Sequence, residues 1–411
     1  LSEAFAQLAK QYGGIVRFHG LLNKPNILIS DPKLIQQIMV NHSYDYPRFI
    51  FMRAIVKEII GEGIILANGD SHKRQRKMMN PLFAFANIKE MFPMFVQAGH
   101  KLKDIWMKQI DNRKEEKITI TTVISKITLD VIGLVGFDYE FNSTTSESEL
   151  VQAYNSLINV NPPLLYLALL DLFPFIRKVP NPYKAQFINS VKIVKNISNR
   201  LVSEQKNTSV QGNNLLSLLV KANEKLPVDE QLTHDELIGQ DRLRKEILDV
   251  FTDRDHFPTF DEIEHLKYLE CTLKETLRIA PPVPVLRRYN VKDEIMDGYV
   301  IPKKTPLMIP IYAIHHDPLI CGDDAKCFNP SRWLDPEIKS KITNNNFLAF
   351  GAGPTNCLGM KMAQLEFKSI LSIIIRNFEF RLVEGFTFKM KFADLTKPIP
   401  GIDLWVSKVD Y

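Results

Sequence analysis

The sequence predicts a mainly α-helical fold with small β-sheets near the N-terminus and the C-terminus. Apolar residues recur with helical spacing in segments along the whole chain, whereas strand-like alternation is confined to short stretches. No tandem repeat or low-complexity tract interrupts these patterns. With 411 residues, 45% of them hydrophobic, the chain can bury a large core. We therefore expect residues 1–411 to form a single domain.

The N-terminal elements follow from local signals. Residues 2–13, SEAFAQLAKQYG, have a serine cap, helical spacing and a terminal glycine, which predict a helix. The next stretch, IVRFHGLLNKPNILIS, alternates as a β-hairpin does, and helix resumes in DPKLIQQIMV. Further helices are predicted at 68–83 and at 118–136, the second apolar enough to be buried.

The C-terminal part predicts one more long helix and then strands. In residues 258–282, Thr259 and Glu262 have capping-box spacing, and Pro281 with Pro282 ends the helix. Strand-like alternation returns in 378–390, FEFRLVEGFTFKM.

Composition excludes several classes of protein. A net charge of +5 spread along the chain is too mild to indicate a nucleic-acid partner. The four cysteines are too few and too irregularly spaced for a secreted disulfide framework, which indicates a reducing compartment. The apolar run 162–176 is interrupted by Asp171 and Pro174 and is shorter than the ~20 residues of a spanning helix, so it predicts peripheral contact with a membrane at most.

One cysteine stands in a glycine-rich loop, FLAFGAGPTNCLG, directly before an apolar helix. At the N-terminal edge of that helix, free N–H groups and the helix dipole would favour the thiolate of Cys357, as in a metal ligand or a nucleophile. Gly351, Gly353 and Gly359 would let the backbone approach something flat and large. A buried structural cysteine beside an ordinary Gly-Pro turn is the alternative.

Two other uses of the cysteines have weaker support. A nucleophile needs a histidine base, and no histidine stands in a protease signature. A zinc site from His315, His316, Cys321 and Cys327 would lack the short paired spacing of structural zinc ligands.

A charged pair lies upstream of the loop. Glu275 and Arg278 are three residues apart on one helical face and can pair. Arg332, in FNPSRW, could join them with a two-pronged guanidinium contact and lock this helix to the segment that leads into the cysteine loop. For the pair alone, a solvated ion pair on the helix surface is the alternative.

Together these motifs resemble the cytochrome P-450 family. FGAGPTNCLG resembles its haem-ligand loop, in which Phe350, Gly351, Gly353, Cys357 and Gly359 match. ETLR resembles the family's Glu-x-x-Arg, and FNPSRW follows in the expected order and spacing. The resemblance covers nearly all of the chain and is strongest to eukaryotic microsomal members, whose N-terminal membrane anchor we expect to be absent here.

The resemblance implies haem b as cofactor, with Cys357 as the axial thiolate ligand of iron. Phe350 and the backbone amides after Cys357 would shield the sulfur. HKRQR resembles the family's Trp-x-x-x-Arg, so that His72, in place of Trp, and Arg76 would hold one haem propionate. Arg288 would hold the second, with Arg287 as the alternative.

The activity implied is monooxygenation of an apolar organic substrate with O2. An NADPH-dependent flavoprotein reductase would supply electrons at the cysteine face. Lys361 and Lys368 near that face only hint at an acidic partner, since solvated surface lysines are the default interpretation of both. The family's location implies the cytosolic face of the endoplasmic reticulum membrane.

The chain departs from the family in two places. The arginine of the loop is Thr355 here, which we expect to weaken haem retention. The acid and alcohol of the family's oxygen-activating helix are not found between Leu201 and Glu275, so the join at Gln240–Asp241 indicates an internal deletion, from a splice or gene-model variant.

No catalytic residue is therefore identified, because the nearest substitutes, Thr233, His234 and Asp235, fit a helix cap. A catalytically impaired P-450-like binding or interaction protein is the alternative function.

Overall fold

The computed structural model describes residues 2–20, 23–49, 53, 57, 62–137, 141, 143, 189–193, 196, 235–251, 253–387, 389–392 and 396–409. Helices dominate these residues, so the mainly α fold class is confirmed. The helices are α1 (Ser2–Tyr12), α2 (Pro32–Gln36), α3 (Gly69–Met79), α4 (Phe85–Ile110), α5 (Ile120–Phe137), α6 (Asp235–Leu248), α7 (Phe260–His265), α8 (Lys267–Ile279), α9 (Ile311–His315), α10 (Pro318–Cys321), α11 (Pro336–Lys341) and α12 (Met360–Asn377).

The strands are short. They are β1 (Ile15–His19), β2 (Pro25–Ile29), β3 (Glu115–Thr119), β4 (Leu286–Tyr289), β5 (Glu294–Met296), β6 (Tyr299–Ile301), β7 (Pro306–Ile309), β8 (Phe378–Leu382), β9 (Lys389–Phe392), β10 (Thr396–Ile399) and β11 (Asp403–Lys408). Single turns of 3₁₀-helix cover Asn80–Phe83, Pro330–Leu334 and Gly353–Thr355, and a π-helical turn covers Gln37–Asn41.

Most N-terminal predictions are confirmed, but Ser2 is itself the first residue of α1, and the helix after Asp31 continues as a π-helical turn from Gln37. Helix α1 is followed by Gly13, whose φ of +93° is the left-handed conformation that favours glycine after a helix end. Strands β1 and β2 pair as an antiparallel hairpin with Ile15 opposite Ile29. Asp31 caps α2, because its carboxylate accepts the N–H groups of Lys33 and Leu34.

The sheets join distant parts of the chain. The largest has the order β1-β2-β7-β4, with β2 parallel to β7. Half of this sheet thus comes from residues 286–309, and not only from the N-terminal region. A second sheet has the order β3-β11-β8, so β3 pairs with a C-terminal strand. Local alternation predicts strands but not such long-range partners.

Two predicted helices differ in detail. In 118–136, Ile118 belongs to β3, and the buried apolar side chains of α5 include Ile127, Val131 and Val135. In 258–282, the Thr259–Glu262 capping box is present, but Leu266, with ψ of 87°, separates α7 from α8. Residues Tyr268 and Leu269 at the start of α8 donate their N–H groups to the Glu246 carboxylate, which caps the second helix.

Helices α4 and α12 pack closely at the centre of the main core. A Cβ on Gly99 of α4 would lie 2.6 Å from Cδ1 of Ile373 and 3.4 Å from Cα of Ile370 on α12, so a side chain there would require at least the Ile373 side chain to move. Because α12 begins directly after the cysteine loop, this packing also fixes the position of the loop.

Helix α6 runs without a break through Gln240–Asp241. Its C-terminal turns are core elements, with Leu243 and Ile247 buried and Arg244 donating to the carbonyl of Phe378 at 2.6 Å. Thr233 and His234 lie outside the described residues.

Among the described helices, none is both long and apolar enough to cross a bilayer. The apolar run 162–176 lies outside the described residues.

Candidate functional site

The cysteine loop is a tight structure closed by backbone hydrogen bonds. The N–H of Cys357 donates to the carbonyl of Phe350 at 2.7 Å, and the N–H of Gly351 donates to that of Leu348 at 2.8 Å. Gly351 and Gly353 have φ of +72° and +64°, a conformation that a side chain would strain. Gly359, with φ of −86°, is the N-cap residue of α12.

The three glycines have different surroundings. A Cβ on Gly353 would lie 2.1 Å from the carbonyl oxygen of Met39, so Gly353 permits close approach to the protein's own π-helical turn. That Gly353 also approaches a flat ligand stays a prediction. A Cβ on Gly359 would approach only Phe83, at 3.9 Å, and one on Gly351 only Asn356, at 3.7 Å.

Burial raises the pKa of the Cys357 thiol above its ordinary value. The Gly359 N–H and the charges of Arg76 and Arg48 act in the opposite direction with smaller effect. The expected thiolate is therefore not favoured by the protein alone, because the loss of solvation outweighs the helix N-terminus. A metal cation at the sulfur would supply the missing stabilisation, since coordination deprotonates a thiol.

Three arginines converge on the two residues that precede Cys357. Arg76 donates to the backbone oxygen of Asn356 at 3.0 Å and to its side-chain oxygen at 2.8 Å. Arg288 donates to Oγ1 of Thr355 at 3.3 Å, and Arg48 donates to the Thr355 carbonyl at 2.8 Å. These three residues come from α3, from β4 and from the segment before Phe49.

This arginine cluster carries uncompensated charge. Burial is the main cause that lowers the pKa of all three guanidinium groups. The pKa of Arg288 falls to about 9, chiefly because this residue is buried and secondly because of the charge of Arg48. No described aspartate or glutamate is among the groups that act on them. Buried cations without a counter-ion are costly, so the site has a strong preference for an anion.

His72 faces the same region and is buried. Burial, followed by the charges of Arg48, Arg76 and Arg288, lowers the pKa of His72 to about 4, so the ring is neutral near pH 7. Its Nδ1 lies 3.2 Å from the Tyr44 hydroxyl, while its buried Nε2 has no hydrogen-bond partner among the described residues. When the hydroxyl donates to Nδ1, Nε2 carries the proton and is a free donor.

A small cavity lies against Arg48, Arg288 and His72, but Arg76 and Cys357 are not among its described lining residues. It is lined by Ser43, Tyr44, Tyr46, Pro47, Arg48, Ala67, Asn68, Gly69, His72, Arg288 and Thr355. The predicted residues His72 and Arg288 thus share one cavity, and Arg287 is not among its described lining residues.

The residues present fit a haem group. Haem carries two carboxylates, and the site offers uncompensated guanidinium cations and the orphaned Nε2 of His72 beside a cysteine at a helix N-terminus. Arg48 and Tyr44 were not predicted from the sequence. Neither belongs to the matched motifs, and their approach depends on the fold of a segment more than 300 residues away from Thr355.

The buried charged network is formed as its spacing predicts. Arg278 donates to both carboxylate oxygens of Glu275 at 2.8 Å, and Nε of Arg332 donates to the same carboxylate at 3.3 Å. Trp333, which was not predicted, adds a 3.0 Å hydrogen bond from Nε1. Because all three predicted members are at most 2% exposed, the network is a core feature rather than a solvated surface pair.

His315 connects the network to the cysteine loop. Arg278 donates to its carbonyl at 2.8 Å, and Nε2 of His315 accepts the N–H of Leu348 at 2.9 Å. Burial lowers the pKa of His315 to about 3, which keeps Nε2 available as an acceptor. The zinc alternative is not supported, since no group of three or more potential metal ligands is found among the described residues. The thiol of Cys321 instead donates a hydrogen bond to the carbonyl of His315.

The two lysines at the cysteine face differ. Lys361 is exposed, but Lys368 is buried and pairs with Glu264 and Glu270. Lys368 is thus part of the core rather than a solvated surface lysine, and it gives no support to a reductase contact.

Comparison with known proteins agrees with this geometry. The family described as Cytochrome P450 matches the chain over residues 1–240 and 237–406. Cytochrome P450 monooxygenase 128 of Postia placenta is 27% identical over 465 residues, which cover 96% of this chain and 83% of the relative. Cytochrome P450 monooxygenase claQ of Ampulloclitocybe clavipes is 27% identical over 432 residues, which cover 90% of this chain and 80% of the relative.

A helical core with small sheets and a cysteine loop beside a cationic cavity defines a class of haem-thiolate proteins. The chain belongs to the cytochrome P450 family, and by family it is a monooxygenase.

Proposed function

We propose that this protein inserts one oxygen atom from O2 into an apolar organic substrate, with electrons from an NADPH-dependent flavoprotein reductase. The proposal rests mainly on the cluster of Arg48, Arg76 and Arg288 beside Cys357, whose positive charge no described carboxylate neutralises. When bound, haem with a thiolate ligand supplies the activation of dioxygen. The family's location suggests the cytosolic face of the endoplasmic reticulum membrane as its place in the cell.

In this proposal the residues of the chain bind and orient the cofactor. Cys357 ligates the iron, and the Gly359 N–H donates to its sulfur, which moderates the donor strength of the thiolate. Arg76, Arg288 and His72 hold the haem carboxylates. The network around Glu275 fixes the loop through His315 and Leu348.

We also propose that an internal segment is missing at Gln240–Asp241. The two-part family match, which meets at residues 237–240, supports this. The alignment with the first Postia placenta relative runs over 465 positions, more than the 411 residues of the chain, which supports it further.

The names of the relatives favour a monooxygenase over a haem-free binding protein. The experiment is the difference spectrum of the reduced, carbon-monoxide-bound protein, expressed with haem supplied. We expect a thiolate-type Soret band that Cys357→Ser abolishes. Folded protein without haem would refute the proposal. Sequencing the transcript across the codons for Gln240 and Asp241 tests the missing segment, and an abundant continuous message would exclude a gene-model error.

A further inference from the structure

We infer that Arg48 supplies the carboxylate-binding cation that the cysteine loop lacks at Thr355. The inference rests on the proposed haem binding and concerns the residue that replaces the family's loop arginine in this chain. It predicts that the departure at Thr355 does not weaken haem retention in the way the sequence alone suggests.

The backbone fixes Arg48 in place. The N–H of Phe49 donates to the carbonyl of Arg287 at 3.1 Å, and the N–H of Tyr289 donates to that of Pro47 at 3.2 Å. An isolated antiparallel bridge therefore sets Arg48 directly opposite Arg288. Directly opposed residues of two strands project to the same face, and like charges in this arrangement repel. An anion between them would convert the repulsion into attraction.

The contacts of Arg48 hold its guanidinium without neutralising it. Its described hydrogen-bond acceptors are the carbonyls of Thr355 at 2.8 Å, Ile64 at 3.2 Å and Ile65 at 3.3 Å. All three are uncharged. A guanidinium has five N–H donors in a planar fork, so donors remain for a carboxylate.

Thr355 is the point at which the arginines meet. Its carbonyl accepts from Arg48, and its hydroxyl accepts from Arg288. Both arginines and Thr355 line the same small cavity. Two cations from other elements thus meet at the loop position where the family pattern has its arginine.

The experiment measures how fast the protein releases haem and haem dimethyl ester to an excess of a haem-scavenging protein, followed by the Soret absorbance. The ester has no free carboxylates. We expect Arg48→Gln to release haem about tenfold faster than wild type, as for the loss of a charge-assisted hydrogen bond, and to release the ester at the wild-type rate. Arg48→Lys keeps the positive charge but not the planar guanidinium, so its haem-release rate should lie between those of wild type and Arg48→Gln.

The matched control is Arg53→Gln. Arg53 comes from the same stretch of chain but is paired with Glu62 at 3.5 Å, and its side chain is 39% exposed. We expect it to leave both release rates unchanged. Arg48→Gln combined with Thr355→Arg should restore the haem rate, because the cation returns to the loop.

The outcomes separate the two hypotheses. If the wild type binds haem and Arg48→Gln releases it at the wild-type rate, this inference alone is overturned. Equal acceleration of haem and ester release in Arg48→Gln indicates a loosened fold and also overturns it. A folded wild type that takes up no haem overturns the proposed function and this inference together.

Discussion

Replacing Glu366 with glutamine should stabilise the protein increasingly as the pH rises. Burial raises the pKa of this carboxyl from 4.5 to about 8, and its Oε1 is sealed from water without a partner among the described residues. The folded state therefore retains a proton that the unfolded state releases. Stability falls as the pH rises from about 4.5 to about 8, because the unfolded chain ionises first.

The magnitude follows from the two pKa values. Each pH unit between them costs about 1.4 kcal/mol, so the upper limit at pH 7 is about 3 kcal/mol. The residue as a whole is only half-buried, and partial screening by water reduces this value. We expect Glu366→Gln to be about 1–3 kcal/mol more stable than wild type at pH 7, and nearly equal to it at pH 4.5.

The assay is urea unfolding at pH 4.5, 5.5, 6.5 and 7.5, followed by circular dichroism, for wild type, Glu366→Gln and Glu384→Gln. Glu384 is exposed in the turn after β8, so its variant should follow wild type at every pH. A difference between Glu366→Gln and wild type that does not grow with pH would refute the reasoning, because a neutral packing effect has no pH dependence.

Three further variants test the loop, the network and a helix cap. Gly353→Ala should lower the thermal midpoint more than Gly298→Ala. Both have positive φ, but among the described residues only Gly353 has atoms within 4 Å of the new Cβ, the nearest being the Met39 oxygen; equal losses would contradict this. Glu275→Ala should cost about 3–5 kcal/mol by leaving two buried arginines uncompensated, and a urea-unfolding loss below 1 kcal/mol would count against a buried network. Thr259→Ala should cost about 1 kcal/mol by removing the capping box of α7, measured by the same unfolding assay; an unchanged midpoint would disprove the role of the cap.

The sequence by itself determined the fold class and the local elements with strong signals. The helix end at Gly13, the hairpin from Ile15 and the capping box at Thr259 depend on neighbours a few residues away. The family followed from motifs whose residues and spacing are themselves local. The pairing of Glu275 with Arg278 was predictable for the same reason, since helix geometry brings residues three apart together.

Only the tertiary structure decided which distant groups share the site. Arg48 reaches Thr355, and β7 lies beside β2, through contacts across hundreds of residues that no local pattern encodes. Burial also reversed the expected charge preference of Cys357 and moved Lys368 from the surface to the core. Charge and solvation depend on everything packed around a group, so the sequence names the groups, whereas the fold sets their ionisation and their partners.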